Sequence, residues 1–357
     1  MSSRLASLRL ARRPLLAALA AAPFAGALAR VPAVSAQDPI VVTMVTDTAG
    51  IGDQSFNDLA KKGLDRAVEE LGVDGKVIES RDAAAYIPNL TEAAEQSALT
   101  VGVGFLLTEA MTEIANQYPD GKFLLIDSVS EAPNVSSVTF KENEGAFLAG
   151  VLAALTTKSN KLGVVGGIKI PPVVRYAVGF EAGAKSVNPD IDVVVAYADT
   201  FDDPALGKEL TLAQYNQGVD IAFPVAGKTG IGSFDAAKEK GAGYWVIAAD
   251  TDQSQLGAEV QLAVSEKGVD TALFLTAQEV VEGTFAGGSK TLGLAEDGVG
   301  LGHPNAAVPQ EALDTVAAYE QAIIDGVIVV PADEEELAAF TPVALEQGAA
   351  ASATPAA

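Results

Sequence analysis

Residues 40–72 read IVVTMVTDTAGIGDQSFNDLAKKGLDRAVEELG. Ile40 to Thr46 is an apolar, β-branched run, the pattern of a buried strand. Asp47 to Asp53 is a polar loop containing Gly50 and Gly52. Phe56, Leu59, Ala60, Leu64, Ala67, Val68 and Leu71 then recur at helical spacing. Asp53 or Ser55 is available to cap that helix, and Gly72 to end it. The unit is strand, loop, helix, and its loop lies at the carboxyl end of a strand, where open α/β sheets hold ligands. Asp47, Asp53, Phe56 and Asn57 gather polar and aromatic chemistry there. A capped βα turn with no ligand has the same spacing.

The alternation continues. Phe123 to Ile126 is a strand with Asp127 just past it. The pattern restarts at Leu162 to Val165. Val193 to Tyr197 is followed by a loop holding Asp199 and Phe201, and Val219 to Val225 by Ala226-Gly227-Lys228-Thr229-Gly230-Ile231-Gly232. Tyr244 to Ala249 is followed by Asp250. Gly287 to Pro309 is loop-rich, and Val327 to Val330 is the last strand. Such repetition predicts parallel sheets covered by helices on both faces. The length favours two sheets of four to six strands, in blocks 40–138 and 143–265, with strand ends facing a shared cleft.

Lys and Arg number 23 against 47 acids in 357 residues, a formal charge of −24. Such a surface repels phosphate backbones, so nucleic acid is not an expected partner. The absence of cysteine excludes disulfides, thiolate metal sites and a lipid-modified cysteine. A single histidine, His303, argues against His-based metal sites and catalytic triads. Residues 1–36 have the form of a cleaved signal peptide: a basic start, an apolar Leu15 to Leu28, and Val34-Ser35-Ala36 before Gln37. Arg12-Arg13 leaves Sec and twin-arginine export both open. The expectation is a periplasmic protein that is not a lipoprotein.

Gly227-Lys228-Thr229 lacks the glycine that a phosphate loop needs five residues earlier, where Ala222 stands in a strand. No GxGxxG follows the first strand, so no dinucleotide cofactor is expected. Asp47, Asp127, Asp199 and Asp250 recur at strand ends. They suit an acid–base pair, solvated loops, or recognition of hydroxyls and amines. Asp250 with Lys267 would match vicinal hydroxyls. Phe56 and Phe201, from opposite blocks, would sandwich a planar base if they are not core.

Val45-Thr46-Asp47 with Gly50-Ile51-x-Asp53-x-Ser55-Phe56-Asn57 resembles the basic membrane protein family, the PnrA-like purine nucleoside receptors of ABC transporters. Glu144-Gly145-Ala146-Phe147-Leu148-Ala149-Gly150, Gly179-Phe180-x-Ala182-Gly183, Ala226-Gly227-x-Thr229-Gly230-x-Gly232, Asp250-x-Asp252-Gln253 and Lys267-Gly268-Val269-Asp270 agree in order. The resemblance implies a type I periplasmic binding protein of two Rossmann-like lobes, three crossovers, a hinge and an interlobe cleft. The lobes would be 37–140 plus about 268–298, and 141–267 plus about 299–335, with a tail over 336–357. It further implies Asp47 and Asn57 as ligand contacts, Phe56 and Phe201 as stacking rings and Asp127 on the base edge. Gly227 would offer backbone, and Asp250 and Lys267 would bind ribose hydroxyls. The implied protein is a monomer that captures a purine nucleoside, delivers it to ABC permease subunits, and uses no catalysis, cofactor or metal. A receptor for a sugar or other small solute, and an exported nucleoside-acting hydrolase, are the alternatives.

Overall fold

A computed structural model describes residues 40–345. The signal-peptide reading of 1–36 and the tail from Ala349 lie outside those residues.

Six strands form the first sheet: β1 (Val41–Val45), β2 (Asp74–Ile78), β3 (Leu99–Val103), β4 (Phe123–Ile126), β5 (Val135–Phe140) and β11 (Gly288–Leu292). Their order is β11-β5-β4-β3-β1-β2, all parallel. The second sheet holds β6 (Lys161–Gly166), β7 (Asp192–Tyr197), β8 (Ile221–Val225), β9 (Trp245–Asp250), β10 (Gln261–Lys267) and β12 (Val299–Gly302). Its order, β12-β10-β9-β8-β6-β7, repeats the first strand for strand, except that β12 runs antiparallel to β10. Central strands such as β3 and β4 are buried along their whole length, as parallel strands covered on both faces must be. The edge strand β2 is partly exposed and carries Asp74 and Lys76, which discourages pairing with another chain.

Helices α1 (Phe56–Leu71), α2 (Tyr86–Gln96), α3 (Thr108–Gln117) and α9 (Val269–Glu282) cover the first sheet. The second sheet carries α4 (Glu142–Thr156), α5 (Pro171–Val187), α6 (Pro204–Asn216), α7 (Ile231–Lys240), α8 (Ser254–Gly257), α10 (Gln310–Ile324) and α11 (Glu334–Ala339). The chain passes between the sheets three times: from β5 into α4, from β10 into α9, and from β11 to β12. One apolar core runs through both lobes, and each lobe has a second cluster of its own.

The opening unit folds as its pattern implies, with one change at the cap. Asp53 caps α1, its carboxylate accepting from the backbone N–H of Ser55, Asn57 and Asp58. Gly72 ends the helix in the left-handed conformation, φ 69°. Ser55 makes no side-chain cap; its hydroxyl turns to the other lobe. Gly150, Gly179 and Gly183 of the two glycine motifs serve packing of α4 against α5, while Gly145 faces β12. A Cβ at Gly150 would stand 2.1 Å from the Phe180 carbonyl oxygen, and one at Gly183 2.0 Å from that of Phe147.

Two stretches differ from expectation. Val327 to Val330 is not a strand. Ile328 and Val330 are buried while Val327 and Val329 are exposed, so the chain alternates against one apolar surface with no partner strand. The first part of the 336–357 tail packs on the second lobe. Phe340 packs edge-on to Phe147 at 6.4 Å, and the Leu345 N–H donates to the Tyr319 hydroxyl at 3.2 Å. The loop-rich reading of 287–309 hid β11 and β12, whose sequences GSKTL and VGLG carry little apolar alternation.

Candidate ligand-binding site

A cavity lies between the carboxyl ends of the two sheets. Asp47, Phe56, Asn57, Asp127, Phe201, Gly227, Asp250 and Lys267 all line it. The topology explains this: each stands at or just beyond the end of a strand, or in the loop or first helical residues that follow.

The first polar group belongs to the β1–α1 loop. Asp47 Oδ1 accepts from the Ala49 N–H at 3.0 Å and from Asn57 Nδ2 at 2.9 Å. Asn57 is fully buried, and its Oδ1 has no partner. Burial raises the Asp47 pKa above its ordinary value despite the bonds from Asn57 and Ala49. Burial likewise raises Asp53 to about 6 against four donated hydrogen bonds.

The second group gathers around Lys267, the last residue of β10. Its ammonium is 2.7 Å from Asp127 Oδ2 and 2.9 Å from Glu142 Oε1, and its side chain is 1% exposed. The rings of Phe56, Phe140 and Tyr176 surround it at 5.0, 5.1 and 5.7 Å. Glu142 Oε1 lies off the direction of a well-aligned hydrogen bond, so that contact is an ion pair. Glu142 Oε2 accepts from Arg175 Nε. Asp127 Oδ1 is buried and has no partner. Burial pushes the Asp127 carboxyl up to about 6, outweighing the charge of Lys267. Burial acts on Glu142 too, but Lys267 and Arg175 together overcome it and hold Glu142 below its ordinary value. The surrounding carboxylates raise Lys267 against burial, so it stays a cation.

Asp250 is held separately. Its Oδ1 accepts from the Tyr176 hydroxyl at 2.8 Å and its Oδ2 from the Ser55 hydroxyl at 2.7 Å. Ser55 belongs to the first lobe, so this bond ties the lobes together, as does Gln255 Nε2 to Gln54 Oε1 at 3.0 Å. The expected pairing of Lys267 with Asp250 is therefore replaced. Lys267 joins Asp127, and Asp127 stands with the ammonium rather than with the Asp47–Asn57 group. Lys228 turns to Asp202 at 2.8 Å, which removes what remained of the phosphate-loop reading. Tyr244 packs at a tilt against Tyr215, ring centroids 4.8 Å apart, and does not line the cavity.

Glu142, Arg175 and Tyr176 escaped the sequence reading, and Ser55 entered it only as a helix cap and part of the motif. The only signal for Arg175 and Tyr176 was their place inside an otherwise apolar helix start. Glu142 looked like an ordinary acid at a helix N-terminus.

The family model for ABC transporter substrate-binding proteins of the PnrA-like type matches residues 40–334. The chain belongs to that family. It is 38% identical over 310 residues to the ABC transporter nucleoside-binding protein BmpA of Lactococcus lactis, covering 81% of this chain and 88% of the relative. It is 36% identical over 276 residues to an uncharacterized lipoprotein of Pyrococcus horikoshii, covering 73% and 68%. The crystal structure of an ABC transporter solute-binding protein from Aeropyrum pernix superimposes with a TM-score of 0.78 at 32% identity, covering 84% of this chain and 96% of that one. The fold is that of a type I periplasmic binding protein, and membership of the family implies a small-molecule ligand and permease partners. One expectation is corrected. The Pyrococcus relatives are named lipoproteins, which points to anchoring at a membrane and overturns the free periplasmic, non-lipidated assignment. The 357 residues hold no cysteine, so a thioether-linked lipid has no attachment point within them.

Proposed function

We propose that this protein captures a purine nucleoside in the interlobe cavity and hands it to an ABC permease, without chemistry on the ligand. One observation carries the reading. Asp127 Oδ1, an unpartnered buried acceptor, stands beside the Lys267 ammonium, which has three donors and one well-aligned acceptor. A carboxylate that accepts next to an ammonium that donates is the complement of two adjacent hydroxyls. Phe56 and Phe201 line the same cavity and offer faces to a planar ring. Asn57 Oδ1, beside Asp47, offers an acceptor to N–H groups of a base edge. Asp250 shapes the site while both its oxygens are engaged within the protein. That engagement weighs against the hydrolase alternative at Asp250, whose two oxygens already accept hydrogen bonds within the protein. The Lactococcus relative's name as a nucleoside-binding protein supports the same reading.

Calorimetry with inosine, guanosine, adenosine and free ribose tests it. Nucleosides bind and ribose does not, and Phe56→Ala loses ~1–3 kcal/mol of affinity, the worth of one stacked base face. Binding of a sugar in preference to every nucleoside transfers the site to the sugar-receptor alternative. Equal affinity in Phe56→Ala removes the stacking role.

A further inference from the structure

The buried ion group around Lys267 extends beyond the atoms that face the cavity. Glu142 is fully buried, is the first residue of α4, and follows the first crossover between the lobes. Lys267 ends β10 and precedes the second crossover. Arg175 on α5 donates to Glu142 from the side away from Lys267 and is the one member partly open to solvent, at 21%. Two anions and two cations thus alternate as Asp127, Lys267, Glu142, Arg175. A ligand engaging Asp127 Oδ1 competes with nothing, but one engaging Lys267 needs the ammonium held still. Asp127 gives an ammonium on a flexible four-carbon stem one aligned partner, and Glu142 sets a second fixed charge beside it.

We propose that Glu142, seated by Arg175, is a positioning residue for Lys267: it fixes the ammonium in register with vicinal hydroxyls and sets the preference for diol-bearing ligands. This rests on the nucleoside reading for its ligand, while the restraint of Lys267 is a property of the protein alone. The carboxylate on α4 supplies a second anchor that is charged and fully buried. Losing it leaves Lys267 with one partner and Arg175 with none.

Two measurements test it. Calorimetry compares inosine with 2′,3′-dideoxyinosine, which keeps the base and lacks the diol. In Glu142→Gln the affinity for inosine falls about ten- to hundredfold, the worth of a hydrogen bond to a charged group, while the affinity for the dideoxy analogue changes less than about twofold. Arg175→Lys, which keeps the charge, retains most of the preference, and Arg175→Met loses it. Equal losses for both ligands overturn the proposal, because they mark Glu142 as a general structural residue. The second measurement needs no ligand. The Lys267 Nζ–H signal in ¹⁵N NMR, assigned with Lys267→Met, is protected from exchange in the wild type and loses protection in Glu142→Gln and Arg175→Met. Unchanged protection overturns the proposal even if no nucleoside binds. Absence of nucleoside binding to the wild type overturns the function reading alone. Should Glu142→Gln fail to fold, the two Arg175 variants decide the same question.

Discussion

Asp127→Asn separates what the site does for a ligand from what it costs the empty protein. Asp127 Oδ2 accepts from Lys267 and Oδ1 accepts from nothing. An asparagine oriented with its oxygen toward Lys267 keeps that bond and turns the unpartnered acceptor into an NH₂ donor. A hydroxyl that donated there loses a charged acceptor, so affinity falls by ~1.5–3 kcal/mol, about ten- to hundredfold. The stability effect has the opposite sign. Burial raises the carboxyl from 3.8 to about 6. At about 1.4 kcal/mol per unit this amounts to about 3 kcal/mol. Because the folded value is raised, the folded state binds the proton more tightly than the unfolded state. The contribution is fully present below about pH 4 and is lost as pH rises through about 6. Asparagine has no proton to lose and keeps the contribution at all pH values. Urea unfolding of the ligand-free proteins checks this. The variant should exceed the wild type by up to about 3 kcal/mol at pH 7.5 and match it near pH 4. A variant that is less stable at pH 7.5, or that retains the wild-type slope between those values, refutes the reasoning.

Ser55→Ala removes the interlobe bond to Asp250; the closed form loses ~1.5–3 kcal/mol, and small-angle scattering of the ligand-free protein should show a larger radius of gyration, with an unchanged radius counting against a latch. Gly183→Ala drives a methyl into the Phe147 carbonyl, and should lower stability by ~1–3 kcal/mol or more, read as a shift in the urea midpoint; a neutral result would mean that α4 and α5 can part without cost.

The first βα unit was legible because three independent signals agree there: a β-branched run, an Asp cap and a left-handed glycine stop. The positions of Asp47, Asp127 and Asp250 were legible for a topological reason, since a parallel sheet sends every strand end to the same side. Partners were not legible. Lys267 sits in SEKGVD, a stretch that looks solvent-facing, and its burial arises from β4, α4 and α5, which are far apart in sequence. Ser55 looked like a cap because its spacing is that of a cap. Only the approach of the second lobe gives its hydroxyl a better acceptor.

The repeated strand order makes Asp127 and Asp250 equivalent: one follows β4, the other ends β9, and both are in the left-handed region with φ 70°. That conformation is unfavourable for most side chains and tolerated by aspartate, whose short polar group bonds locally. The equivalence breaks at the next shell. Beside Asp250, Tyr176 and Ser55 satisfy both oxygens, so the second-lobe aspartate binds the first lobe. Beside Asp127 stands one lysine, which satisfies one oxygen and leaves the other bare. Two copies of one backbone feature thus differ in their partners: Asp250 ties the lobes together, and Asp127 keeps the free acceptor on which the proposed ligand contact rests. Exchanging those partners would require moving the hydroxyls of Ser55 and Tyr176, not the aspartates.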